Sequence, residues 1–264
     1  MKRIFILVLS VSYFSVFAQE DSERKVVDSY IKQFNLKMDT VLWLCEYDNI
    51  VWWTSDSVYA SSKEEQANLG AEWFCFKIAN IWHAVYGKYA NQTYNMVYHY
   101  EVDTNLSVKR VYTNIDSSIL NSYARAIVNG NKTLTQYSDS IKVRFNQYIR
   151  RNPDNSLSVW FLPAFTTNGI AVYGGEFYYL FDKTGTNLLQ KSEYSQEYKG
   201  FKPDSRREIW LNYEKKDEPT LGSIFFIWYY RKYFDRIVAD AKKFKSTLFH
   251  NDKMDYYWVH AVKE

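Results

Sequence analysis

Proline and glycine are scarce, with 4 Pro and 9 Gly in 264 residues, and no low-complexity linker divides the chain. No period of 20–50 residues repeats, which excludes a solenoid or propeller. One domain is therefore expected rather than two. Cysteine is nearly absent: Cys45 and Cys75 are the only two, too few for a disulfide framework. Excess charge is lacking as well. Lys and Arg number 33 against 30 Asp and Glu, so nothing marks a nucleic-acid or anionic-membrane surface. After residue 17 the longest apolar run, 224–230, is far short of the roughly 20 residues that span a bilayer. Hydrophobic residues make up 47% and charged ones 24%, which excludes intrinsic disorder.

What the chain has in excess is aromatic side chains: 24 Tyr, 17 Phe and 9 Trp. Aromatics favour strands. Its start has a second distinct character. Met1-Lys2-Arg3 is a short positive segment, residues 4–17 are apolar, and Val16-Phe17-Ala18 places small side chains before an abruptly polar stretch from Gln19. That order is the pattern of a secretory signal. It predicts a leader at 1–18 that is cleaved, leaving 19–264 as a single exported domain close to electrical neutrality. No cysteine follows the cleavage point, so lipid attachment is not expected there. In an oxidising compartment Cys45 and Cys75 could form one disulfide or remain two buried thiols.

Residues 20–36 have a helical period through Val26, Val27, Tyr30, Ile31 and Phe34. Strands are predicted at 41–47, 50–54, 73–78, 81–89 and 94–103. In the last, Tyr94, Met96, Tyr98, Tyr100 and Val102 share one face, and His99 and Glu101 lie on a wetter one. A helix is predicted from an N-cap at Asp116-Ser117-Ser118 to a stop at Gly130, followed by a second helical stretch over 135–150. Further strands fall at 157–162, 170–173, 176–181, 188–193 and 207–213. Residues 223–230 lean to strand, and 231–244 fit helix or strand equally. The fold class expected is α+β: a mostly antiparallel twisted sheet with an N-terminal helix and a central helical pair packed on it.

Several catalytic spellings fail on inspection. Asp182-Lys-Thr-Gly-Thr186 matches the phosphorylation sequence of ion pumps, but the match stops there and no spanning helices accompany it. A turn between two strands explains it better. Gly174-Gly-Glu-Phe177 resembles a nucleotide-cyclase loop that lacks one acidic residue, and a Gly-Gly hairpin is expected instead. His99-Tyr-Glu101 is half of a zinc deaminase signature without its paired cysteines. The histidines His83, His99, His250 and His260 show no metal-ligand spacing, so no metal or cofactor is expected, and His83 is read as a core histidine. The three Asn-x-Ser/Thr sequons at Asn91, Asn105 and Asn131 are read as chance.

Ser158-Val-Trp-Phe-Leu-Pro-Ala164, the hairpin around Phe181-Asp-Lys-Thr-Gly185 and Glu218-Pro-Thr220 before the 224–230 segment carry a resemblance. Over roughly 94–262 the chain resembles a loose group of secreted bacterial proteins of unknown function. In that group a strand ending Leu-Pro-Ala precedes a Phe-Asp-x-x-Gly hairpin. The resemblance implies a strand at 223–230 and a Gram-negative host, hence a periplasmic or extracellular location. It lends no activity and no site residues.

The function expected is a non-catalytic binding or envelope-associated protein with a glycan or protein partner. The alternative is a hydrolase of an extracytoplasmic polymer, glycan or peptide, acting through carboxylates without a motif. The residues expected to bind a ligand are Tyr178 and Trp210, large aromatics on the polar phase of their strands.

Overall fold

In a computed structural model of the chain, residues 2–135, 143–202, 207–251, 253 and 255–263 are described, with side chains from Arg24 onward. The first element, α1 (Lys2–Tyr59), is one helix of 58 residues. The side chains of the expected leader, 1–18, lie outside the described residues. The strands expected at 41–47 and 50–54 are the C-terminal part of α1. Tyr30, Phe34, Val41, Leu44 and Asp48 are buried at spacings of four, seven, three and four that fall on one helical stripe, and Tyr47, Ile50, Thr54 and Val58 widen the buried face towards the end of the helix.

A short helix, α2 (Lys63–Gln66), leads into the first sheet. Its strands are β1 (Glu72–Ile78), β2 (Ile81–Ala90), β3 (Thr93–Val102) and β4 (Val108–Arg110), antiparallel and in chain order. Then comes α3 (Ser117–Leu134), capped by Asp116, whose carboxylate accepts from the Ser118 amide at 2.7 Å. The helix runs through Gly130 instead of stopping there. A Cβ at Gly130 would press on the Phe161 ring at 3.0 Å, so glycine serves close packing at this position.

The second sheet holds β5 (Phe145–Arg151), β6 (Leu157–Pro163), β7 (Ala171–Phe181) and β8 (Leu188–Phe201), again antiparallel in chain order. Half of the expected helical pair is thus replaced by strand β5, and 136–142 lie outside the described residues. The expected Gly174-Gly175 hairpin is instead a bulge inside β7. Gly174 has φ +122°, and the Tyr198 ring lies where a Gly175 side chain would be.

The third sheet is ordered β12-β11-β10-β9, from β9 (Glu208–Tyr213), β10 (Arg236–Ala241), β11 (Phe244–His250) and β12 (Tyr256–Val262). Strands β9 and β10 are parallel, joined through α4 (Leu221–Tyr230) and a 3₁₀ turn at Arg231–Tyr233. The strand expected at 223–230 is therefore a helix, and the ambiguous segment after it is a turn followed by strands. Thr220 caps α4, its hydroxyl accepting from the Ser223 amide. Among the described residues the architecture is α+β with three four-stranded sheets, and no helix is long and apolar enough to cross a membrane.

Three apolar clusters bind the layers. The first joins α1 to one face of the first two sheets and to α4, through residues such as Leu44, Tyr47, Tyr98, Tyr148 and Phe225. The second joins α3 to the opposite faces, through Phe74, Val85, Ile127, Phe161 and Tyr179. The third buries α4 on the third sheet and the start of β7. The single-face alternation expected for β3 breaks at a bulge, where Tyr86 pairs with Tyr98 and Gly87 with Met96. Val97 is the extra residue, so Tyr94 joins the second cluster while Tyr98, Tyr100 and Val102 join the first.

Candidate functional site

The C-terminal half of α1, the helix α4 and the starts of β1 and β5 line a cavity of about 870 Å³. Its walls are largely aromatic, with Trp52 and Tyr59 from α1, Trp73 from β1, Tyr148 from β5 and Phe225, Trp228 and Tyr229 from α4. Phe225 and Tyr229 stack at 5.3 Å between centroids, and Tyr148 meets Phe225 edge-on. Trp52 is 54% exposed. At the rim the Arg231 guanidinium lies 4.3 Å from the centroid of Trp228 and 5.3 Å from that of Tyr256. Pockets of this size and composition, mostly apolar with a few convergent polar groups, are the usual form of a small-ligand site.

The polar centre of the cavity is Asp48. The Tyr148 hydroxyl donates to its Oδ1 at 2.7 Å and the Tyr229 hydroxyl to its Oδ2 at 2.6 Å. Asn146 approaches Oδ1 at 3.4 Å. Burial pushes the Asp48 carboxyl above its ordinary range, against the opposing pull of these donors and of Trp52. Burial also raises both phenols, with the Asp48 charge next in effect. They stay protonated and act as donors. Cys45, on the same wall, has its thiol pushed up to about 12 by burial and then by the Asp48 charge. It is not a thiolate at neutral pH. Glu72 is a second carboxylate on the lining, and its Oε2 accepts from the Tyr89 amide at 3.1 Å.

Neither expected binding residue lies in this cavity, and the two stand in different sheets. Tyr178, on β7, is half-buried against Trp160, with its hydroxyl 3.1 Å from that of Ser158. Trp210, on β9, is 45% exposed beneath the Lys245 ammonium. Cys45 and Cys75 are both free thiols.

On the other face of the first sheet a different group converges. His83 Nδ1 lies 2.9 Å from His99 Nε2 and 3.9 Å from Glu101 Oε1. His83 and Glu101 are cross-strand partners, and His99 sits two residues before Glu101 on the same face. Both histidines are buried, His83 at 8% exposure and His99 at 2%, so this side of β3 is not the wet face expected. Phe76 stacks on the His83 ring.

The Asp182 segment is the turn expected between β7 and β8. One carboxylate oxygen of Asp182 accepts from the Thr184, Thr186 and Asn187 amides, and the other from the Asn187 side chain. Slight burial raises the Asp182 carboxyl, but these donors outweigh it and hold the group at about 2. The turn docks on α3, where Asn129 donates to the Gly185 carbonyl at 2.9 Å and Arg125 to that of Thr184 at 3.0 Å.

The chain matches no protein-family model, no curated protein and no solved structure.

The sequence does not single out Asp48, because it falls in the gap between the strands expected at 41–47 and 50–54. Read as a helix, the stripe Leu44, Asp48, Val51 places a carboxylate on an apolar face, which is the signal of a buried, partnered acid. The His83, His99 and Glu101 group has no linear spacing to find. It exists only through the register of β2 against β3.

Proposed function

We propose that the protein is an exported, non-catalytic binding protein of a bacterial cell envelope, whose ligand is a glycan held in the aromatic cavity beside Asp48. The leader pattern at 1–18 supports export, and the resemblance around Leu162-Pro-Ala164 supports a Gram-negative host. The observation that carries the binding reading is the cavity itself. Rigid rings from α1, β1, β5 and α4 offer flat apolar faces for sugar rings, at small cost in side-chain entropy. The state of Asp48 supports binding over hydrolysis. Each of its oxygens is held by a phenol, so it is built into the wall rather than poised to transfer a proton.

The test is a titration of the purified mature chain with neutral and acidic oligosaccharides, including cell-wall fragments, followed by tryptophan fluorescence. Saturable quenching in the wild type that is lost in Trp52→Ala and kept in Trp210→Ala is the expected result. Absence of saturation with every glycan, or unchanged affinity in Trp52→Ala, would overturn the reading. Cleavage of a glycan during incubation would replace it with the hydrolase alternative, with Asp48 and Glu72 the carboxylates to examine. N-terminal sequencing of native protein tests export. A chain starting near Gln19 is expected, and one starting at Met1 refutes it.

A further inference from the structure

We propose that His83, His99 and Glu101 form a binding site for a divalent transition-metal ion such as zinc, on the side of the first sheet that packs against α3. This site is separate from the aromatic cavity. Trp82, Ala84 and Tyr86 of β2 point into the cluster around α1, whereas His83 and Val85 point the opposite way.

The donor set fits the ion. Two imidazole nitrogens and one carboxylate oxygen, from three residues, lie within 4.8 Å of one another. A tetrahedral zinc with bonds of about 2.0–2.2 Å places its donors roughly 3.3–3.5 Å apart. The 2.9 Å and 3.9 Å separations from His83 Nδ1 lie on either side of that value. Shifts of a few tenths of an ångström would bring these two separations to it, and the remaining pair, His99 and Glu101, lies within 4.8 Å. A two-His, one-carboxylate set leaves a fourth position for water or a further ligand.

The surroundings fix the ligand orientations. His99 Nδ1 faces Thr113, with the Thr113 hydroxyl at 3.4 Å and its backbone as hydrogen-bond partner. A proton held there leaves the Nε2 lone pair aimed at His83. The Phe76 ring lies over His83 at 5.5 Å and 14° and restrains its rotation. In the metal-free arrangement one proton bridges His83 Nδ1 and His99 Nε2. On binding, that proton moves to His83 Nε2 and the ion takes its place, with no net proton released. The Glu101 side chain is 30% exposed, which gives the ion a route from solvent.

The experiment uses the purified, untagged mature chain and Zn²⁺ alone, in competition with a chromogenic chelator, with metal content measured after dialysis. One Zn²⁺ per chain is expected. Glu101→Gln should weaken binding at least about tenfold and His83→Gln by more. His250→Ala, which changes a half-buried histidine outside the group, should leave binding unchanged. Replacement by Co²⁺ should give visible absorption bands that Glu101→Gln alters. Because His99 is deeply buried, His99→Gln is read only if its circular dichroism matches the wild type. Glu101→Gln and His83→Gln decide the question if it does not. Wild-type binding no tighter than that of His83→Gln, or binding lost in His250→Ala, would overturn the proposal. The outcome is independent of the glycan titration, because Trp52→Ala and Glu101→Gln alter opposite faces of the sheet.

Discussion

Tyr229 donates its hydroxyl to Oδ2 of Asp48 at 2.6 Å, across 181 residues of sequence. The bond ties α4 to α1 at the wall of the cavity. Removing the hydroxyl leaves a buried carboxylate oxygen without its donor, a loss of about 1–3 kcal/mol. Tyr229→Phe should therefore lower the unfolding free energy measured by urea titration by that amount at neutral pH. In a double-mutant cycle with Asp48→Asn the two changes should couple strongly. Independent effects would mean that the bond is not formed in solution.

The same carboxyl should give the protein a distinctive pH dependence. Burial raises Asp48 above its ordinary value of 3.8, so between that value and the raised one the folded state holds more protons than the unfolded chain. Stability contributed here falls as pH rises through the window, then levels off. Burial raises Glu176 similarly from 4.5. His83, His99 and His260, which burial holds below 6.5, act in the opposite direction. Comparison with Asp48→Asn cancels these other groups. The stability of the variant relative to wild type should increase as pH rises from about 4 and then become constant. A flat difference across the acid range would show that Asp48 titrates normally.

Local patterns served best where one face of an element meets water. Strand β9 alternates as expected, with Ile209, Leu211 and Tyr213 buried and Glu208, Trp210 and Asn212 exposed. The Asp116 cap and the Asp182 turn are equally local. Where an element is surrounded, the signal disappears. In α4, Ile224, Phe225, Phe226 and Ile227 are all buried, because α1, the second sheet and the third sheet enclose the helix. No polar face then remains to reveal its period. The dense aromatics of α1 suggest strands at 41–47 and 50–54, but packing on three layers outweighs the small β-preference of such residues. Both candidate sites depend on long-range pairing, Asp48 with Tyr148 and Tyr229, and His83 with Glu101.

Gly185 has φ +74°, and a Cβ there would strike the Ser122 carbonyl oxygen on α3. The Asp182 turn can dock on α3 only with glycine at this point. Gly185→Ala should cost about 1–3 kcal/mol from the left-handed backbone alone, and more from the clash. Gly169 is the control. It has the same φ of +74° with nothing near its Cβ position. A difference between the two alanine variants in thermal unfolding measures the docking contact. Equal losses would show that the turn does not rest on α3.

Trp52 and Trp210 separate the two surfaces on which a ligand could stack. Both are large and substantially exposed, at 54% and 45%, but Trp52 also hydrogen-bonds the buried Asp48 carboxylate, so Trp52→Ala should cost about 1–3 kcal/mol of stability, whereas Trp210→Ala should change it by no more than about 0.5 kcal/mol. Their effects on binding should differ. Trp52 lines the cavity with Asp48, Tyr148 and Tyr229 around it, whereas Trp210 lies on an open strand face with the Lys245 ammonium 4.9 Å from its ring centroid. An anchor in a concave, partly desolvated wall contributes far more than one on an open face. Trp52→Ala should reduce glycan affinity at least about tenfold, a loss of roughly 1.4 kcal/mol. Trp210→Ala should leave affinity within a factor of about two. The reverse ranking in a calorimetric titration would move the binding surface out of the cavity and onto β9.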